Sequence, residues 1–167
     1  NGFRSLLILD PDSCRPFDSS RAGLNLGEGA AFVVLERESH ALARGVQPLA
    51  TLSGWGNACD AFHQTASSEE GIGAVLAMQA ALRRAGLQPA DIGYINAHGT
   101  GTPNNDASEL AAVRSVFPTL PPLSSTKSAT GHTTSASGSV EAVISLLALQ
   151  HHFLPANLHW SSAMDGD

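Results

Sequence analysis

Residues 30–36 read A-A-F-V-V-L-E, a continuous apolar and β-branched run, which is the pattern of a strand buried on both faces. Residues 49–56 predict a second strand, weakened at its end by Gly54 and Gly56. Residues 5–10 (S-L-L-I-L-D) form a shorter apolar run, a strand or buried turn that Pro11 breaks. Between the first two runs, residues 36–44 are polar and helical in spacing, stopped by Gly45. From residue 72 to 85 the apolar positions follow helical spacing, with Arg83 and Arg84 near the C-terminal end and Gly86 placed to close it. Residues 92–97 predict a short strand that ends at His98, and residues 105–116 an amphipathic helix opened by an Asn/Asp cap. A short strand at 123–125 leads into Lys127. The helix predicted at 135–149 begins with small residues and continues V-I-S-L-L-A-L, so apolar that it is expected to be mostly buried. Strands alternating with helices in this order predict an α/β fold.

The chemistry collects where short apolar runs end in small-residue turns, the usual place for a site in an α/β protein. His98 is followed by G-T-G-T, and His132 closes S-S-T-K-S-A-T-G-H. A neutral imidazole can donate N–H to a developing oxyanion or act as acid or base. A lone histidine is more often structural. Two in matching contexts point to one site built from two loops. Thr100 and Thr102 alternate around Gly101, so both hydroxyls can face an extended amide-bearing ligand; an ordinary turn accounts for either taken alone. Lys127 and Glu141 flank His132 and are expected to fix its tautomer or tune its pKa, or to form a structural ion pair. Asp106 and Glu109 fall at the start of a helix, where capping accounts for Glu109. The long connection at 57–71 carries Asp60, Phe62, His63 and Thr65, and a loop of that length is usually functional or disordered. Cys14 and Cys59 lack the setting that lowers a thiol pKa and are read as bystanders. His151 and His152 follow a helix end and complement its dipole.

Composition narrows the classes. With 43% hydrophobic and 14% charged residues, the 167-residue chain is no disordered segment and is long enough for one core. A net charge of -6 without a basic cluster excludes an electrostatic footprint for nucleic acid. No apolar run approaches the roughly 18 residues of a membrane span. Two cysteines make neither a disulfide framework nor a zinc site of usual spacing. No phosphate-loop pattern is present. The expected compartment is the cytoplasm. A start at Asn1 and an end at Asp167 in a polar loop suggest a piece of a longer polypeptide. The residues alone therefore describe a site for acyl or carbonyl groups, with two histidine donors, threonines for a ligand amide and no evident nucleophile.

N-A-H-G-T-G-T-P at 96–103, S-S-T-K-S-A-T-G-H at 124–132 and Glu141 beyond them resemble the β-ketoacyl-acyl-carrier-protein synthases, most closely the condensing enzymes of type II fatty acid synthesis. R-P-F-D, R-A-G, G-E-G-A and V-L-E within 15–36 fit the same family, as does D-A-F-H at 60–63. The resemblance implies a thiolase-like fold of α-β-α-β-α layers, with residues 1–47 ending a first half and 48–167 forming most of a second. It implies a decarboxylative Claisen condensation of malonyl-carrier protein with an acyl-cysteine. In that chemistry His98 and His132 assist decarboxylation and stabilise the enolate oxygen, Lys127 and Glu141 support them, and Thr100 and Thr102, with Thr65, bind the pantetheine arm. No resident cofactor is implied, since the arm belongs to the acyl carrier protein, which is the expected partner beside a homodimeric copy. The family's nucleophile lies in T-x-C-A/S, a context neither Cys14 nor Cys59 has; Ala22 replaces an acidic residue, and the late glycine-rich segment with a gating phenylalanine does not appear. The chain by itself is therefore expected not to condense acyl groups. Two other readings are a non-catalytic chain-length partner, which has no chemical need of both histidines, and a ketosynthase of a polyketide or aryl-polyene pathway.

Overall fold

The computed structural model describes residues 2–63 and 66–164. Its helices are α1 (Gly2–Ser5), α2 (Glu38–Ala43), α3 (Ile72–Ala85), α4 (Pro103–Val116), α5 (Lys127–Thr130) and α6 (Ser137–His151), and its strands are β1 (Ile95–Asn96) and β2 (Leu123–Ser124). The two strands pair in parallel, Ile95 opposite Leu123 and Asn96 opposite Ser124.

Helices α3 and α4 make the frame. Val75, Met78 and Leu82 recur along one face of α3 and pack with Ile92, Ile95 and Leu123 on a cluster of Val113, Val116 and Phe117. Gly86 ends α3 in the left-handed region at φ 69°, as its spacing predicts. At the other end Gly71, at φ 61°, lets α3 approach α4: a Cβ there would lie 2.5 Å from the Ser108 carbonyl oxygen. Asp60 explains the long connection before α3. Its carboxylate accepts the N–H groups of Ser68 (2.6 Å) and Gly73 (2.8 Å), so it folds the connection back and caps the helix. A second cluster of Phe17, Ala97 and Met164 lies against Ile95, Leu110 and Leu123.

Several expectations are corrected. No strand forms at 30–36, where Phe32, Val34 and Leu35 are 92%, 89% and 72% exposed. A strand with two apolar faces needs neighbours on both, and the described residues provide none. The run at 49–56 forms no strand either, and Leu49 and Leu52 are exposed. Its glycines mark contact with α3: a Cβ at Gly56 would lie 1.8 Å from the Ala77 carbonyl oxygen. The run at 5–10 contributes only an isolated bridge, Leu9 to Leu24. Helix α4 starts earlier than its Asn/Asp pair suggests, with Thr102 at the cap and Pro103 at the first helical position, where a missing N–H costs nothing. Helix α6 is not mostly buried: only Ser137 and Ala148 are, and Leu147 and Leu149 are exposed. Among the described residues no helix is long and apolar enough to cross a membrane.

Candidate active site

Parallel pairing puts the C-terminal ends of β1 and β2 side by side, so the loops that follow them share one edge. The first loop holds His98 and the second leads through Lys127 to His132. The ladder runs one step further, with Ala97 N–H donating to the Ser124 carbonyl at 2.9 Å. The two imidazoles then meet edge to face, ring centroids 5.1 Å apart.

The backbone beneath His98 is held from three sides. Glu109 accepts the N–H groups of both His98 and Gly99, each at 2.7 Å. Ser125 Oγ donates to the Gly99 carbonyl at 2.6 Å, and Lys127 Nζ donates to the His98 carbonyl at 2.5 Å. Capping therefore does not explain Glu109, which lies beyond the first turn of α4 and reaches back to the histidine loop. Its pKa is raised by burial, which the two N–H donors oppose. The misreading followed from the misplaced start of α4: a cap at the Asn/Asp pair puts Glu109 within the first turn, whereas the observed cap at Thr102 puts it seven positions on, too far to satisfy the helix's free N–H groups.

Lys127 is 2% exposed and bonds three groups: the His98 carbonyl, His98 Nδ1 at 3.2 Å, and the Glu141 carboxylate. The expectation that Lys127 and Glu141 orient His132 is thus corrected. They orient His98. An ammonium has only protons to offer, so Nδ1 of His98 is an acceptor and Nε2 carries the ring proton. The residue is partly open to solvent, and burial of the rest of it keeps water away. That exclusion of water, then the Lys127 charge and then His132, push its pKa down to about 4.

His132 is held differently. Its N–H donates to the Asn25 carbonyl at 2.7 Å and its carbonyl accepts from Gly27 at 3.1 Å, which ties the second loop to the G-E-G segment. Gly27 is required there, since a Cβ would lie 2.1 Å from the Thr130 carbonyl oxygen. Its Nδ1 accepts the Thr134 N–H at 3.0 Å and lies 3.1 Å from Ser137 Oγ. Thr134 reaches it from the left-handed region at φ 53°, uncommon for a β-branched residue. Burial and then Lys127 lower the pKa of His132 as well. Both imidazoles are therefore neutral near pH 7, each with its proton on Nε2. The roles of Ser125, Thr134 and Ser137 have no signature in the sequence because they arise from backbone geometry.

Thr100 is buried, and its hydroxyl meets that of Thr102 at 2.8 Å, so the two hydroxyls bond each other across Gly101. Asp106 is 0% exposed and accepts N–H groups from Gly101 (3.1 Å) and Phe17 (2.8 Å). Cys14 is buried, with Sγ–H directed at the Lys127 carbonyl at 3.3 Å, and burial raises its pKa, so it is no nucleophile. Cys59 is exposed. Thr65 lies outside the described residues. Among these residues no cluster of His, Cys, Asp or Glu suits a metal ion. An open groove of about 600 Å³ borders Phe17, Leu123 and Trp160 but no histidine.

The fold is that of the thiolase-like condensing enzymes. The chain belongs to the β-ketoacyl synthase family: residues 49–161 match the model of the β-ketoacyl synthase C-terminal domain. It is 47% identical over 154 residues to the mitochondrial 3-oxoacyl-[acyl-carrier-protein] synthase of Arabidopsis thaliana, covering 89% of this chain and 33% of that protein. The chain thus spans about a third of this relative's length. Its structure superposes on the ishigamide ketosynthase/chain length factor with TM-score 0.92 and 38% identity, over 98% of this chain and 40% of that one. It also matches AntDE:AntF, described as a type II PKS acyl-carrier protein in complex with its ketosynthase, with TM-score 0.94 and 28% identity over 98% of this chain and 43% of that one.

Proposed function

We propose that this chain is the histidine-bearing part of a β-ketoacyl-acyl-carrier-protein synthase. The reaction is the decarboxylative Claisen condensation of malonyl-carrier protein with an acyl thioester held on a cysteine outside this sequence. One observation carries the reading: two neutral imidazoles meet at 5.1 Å, and each has its Nδ1 engaged as an acceptor. Both Nε2–H groups are then donors with no charge of their own. As carbon dioxide leaves the malonyl group, negative charge grows on the thioester oxygen, and two such donors stabilise it. Lys127 and Glu141 keep the tautomer of His98, and Thr134 keeps that of His132.

Thr100, Thr102 and Thr65 serve the pantetheine arm, which the acyl carrier protein brings, so no resident cofactor is needed. Likeness to a ketosynthase bound to its carrier protein supports that partner. Residues 1–47 close one thiolase-like half and 48–167 form most of the second; the family match beginning at residue 49 supports this division. The intact protein is a cytoplasmic homodimer in this reading. A chain-length partner is the second reading, favoured by likeness to a structure named for a ketosynthase and chain length factor. The intact pair of histidines and the lysine that fixes one of them favour the enzyme.

The test uses the intact protein that carries this chain, supplied with malonyl- and acyl-carrier protein. His98→Ala and His132→Ala are each expected to suppress carbon dioxide release while acyl transfer to the cysteine continues. Wild-type decarboxylation in either variant overturns the assignment of that histidine, and a wild-type protein that releases no carbon dioxide overturns the enzyme reading.

A further inference from the structure

The R-P-F-D segment plays no part in the chemistry above, yet its Phe17 is held in a constrained backbone close to His98. Phe17 sits in the left-handed region at φ 60°, a conformation that a bulky non-glycine residue holds only where its surroundings enforce it. Here they do so at both ends of the residue. Its N–H donates to the fully buried carboxylate of Asp106 at 2.8 Å, and its carbonyl accepts the Trp160 indole N–H at 3.2 Å. The neighbouring bonds enforce the same path: Asn157 Nδ2 donates to the Pro16 carbonyl at 2.7 Å, and the Asp18 carboxylate accepts from the N–H groups of Ser161 and Ser162. The outcome of this fixing is the placement of the ring. Phe17 Cε2 lies 2.7 Å from the point where a Cβ on Gly99 would stand, so the ring rests directly on the glycine that follows His98. Asp106 completes the link, since its second oxygen accepts the Gly101 N–H two residues further along the same loop.

An apolar residue needed only to fill the core has no reason to adopt a left-handed backbone; the cluster with Ala97 and Met164 could be filled from ordinary geometry. We propose that Phe17 is a positioning residue for His98, acting through Gly99, with Asp106 and Trp160 as the two groups that hold it in place. Glu109, Ser125 and Lys127 fix the polar groups of the His98–Gly99 segment, and the Phe17 ring packs beside Ser125 against the Cα of Gly99. The activity part of this assignment rests on the function proposed above.

The experiment compares Phe17→Leu and Trp160→Phe with wild type in the intact protein. Three quantities are read: carbon dioxide release from malonyl-carrier protein as kcat and KM, acyl loading of the nucleophilic cysteine, and the NMR titration of the His98 imidazole. Phe17→Leu is expected to lower kcat for decarboxylation about tenfold with KM and acyl loading unchanged, because small displacements of a catalytic group cost rate more than binding. The His98 titration midpoint is expected to rise as water reaches the loosened ring. Trp160→Phe, which removes the indole N–H together with part of the ring, leaves Phe17 itself in place and is expected to move the same quantities less. Equal losses in loading and decarboxylation, or an unaltered His98 titration in a folded variant, overturn the proposal. If Phe17→Leu does not fold, Trp160→Phe decides by the same criteria. If the wild type releases no carbon dioxide, the functional reading fails, and the titration still decides whether Phe17 positions His98.

Discussion

Lys127 Nζ touches His98 twice, at the ring nitrogen Nδ1 (3.2 Å) and at the carbonyl of the same residue (2.5 Å). One buried cation thus sets both the tautomer and the backbone of one histidine. Lys127→Met keeps much of the volume and removes the charge. The pKa of His98 is then expected to rise from about 4 towards its ordinary 6.5, in part only, because crowding by protein comes before the lysine among its causes. The neutral ring is the active form, so the acid limb of the decarboxylation profile moves to higher pH. Stability follows the same sign. A histidine whose folded pKa is depressed contributes stability above the unfolded pKa of 6.5, and loses it as pH falls towards the folded value. Lys127→Met therefore weakens the His98 contribution to the stability slope between about pH 4 and 6.5. Urea titrations at several pH values and a pH–rate profile check both claims, and an acid limb that stays in place contradicts the first.

Glu109 uses its two oxygens on two successive N–H groups, those of His98 and Gly99. Glu109→Gln keeps the shape but turns one acceptor into a donor that faces an N–H group. Loss of a charge-assisted bond with an unsatisfied buried donor left behind costs about 2 kcal/mol. Urea unfolding is expected to show that loss. Decarboxylation is expected to fall further than acyl loading, because the disturbed backbone carries His98. A loss of stability below about 0.5 kcal/mol is no more than an exposed substitution produces and would remove Glu109 from the clamp.

The site was more legible in this sequence than the fold around it. His98 and His132 announce themselves by small-residue turns after apolar runs, and the paired helices α3 and α4 by their spacing. The strand expected at 30–36 failed for a physical reason: periodicity reports that Phe32, Val34 and Leu35 suit burial, but burial needs a partner, and no described residue supplies one. Lys127 was recognised as a supporting residue, and it pairs with Glu141 and lowers the pKa of His132 as expected, but its hydrogen bonds go to His98. Proximity in sequence favoured His132, five residues away, whereas the parallel register of β1 and β2 brings it to His98. Glu109 was misread for a related reason, since its target lies in the loop between β1 and α4 and not on its own helix. Phe17, Trp160 and Asp18 meet across more than a hundred residues, and no local pattern records that.

Asp18 accepts five hydrogen bonds, from the N–H and hydroxyl groups of Ser20 and Ser161 and the N–H of Ser162. Burial opposes its charge, but these donors prevail and hold its pKa well below the ordinary 3.8. A carboxylate with a depressed folded pKa contributes stability above the unfolded value and loses it as pH falls below about 4. Asp18→Asn is expected to destabilise the intact protein at neutral pH and to flatten its stability slope below about pH 4. Because Asp18 also ties 18–20 to 161–162, proteolysis near residue 160 should accelerate. An acid slope identical to wild type in the variant would show that other carboxylates set it.

Thr100 and Thr102 share one hydrogen bond between hydroxyls at 2.8 Å, and Thr100 Oγ1 also accepts the Thr102 N–H at 3.3 Å. Thr100 is buried and Thr102 half-buried, so Thr102 is the one with a side open to a ligand. Thr102→Val preserves shape and removes one hydroxyl. The backbone bond to Thr100 survives, so the loss of stability is expected to be about 1 kcal/mol, the net worth of one hydrogen bond. If the threonines hold the pantetheine amides, KM for both carrier-bound substrates rises several-fold while kcat for carbon dioxide release changes little, because binding is weakened and the histidines are not displaced. A purely structural hydroxyl gives the opposite pattern: stability falls by the same amount and KM does not move. Steady-state kinetics with malonyl- and acyl-carrier protein, measured beside a urea titration of the same variant, separates the two, and an unchanged KM for both substrates would remove Thr102 from the ligand site.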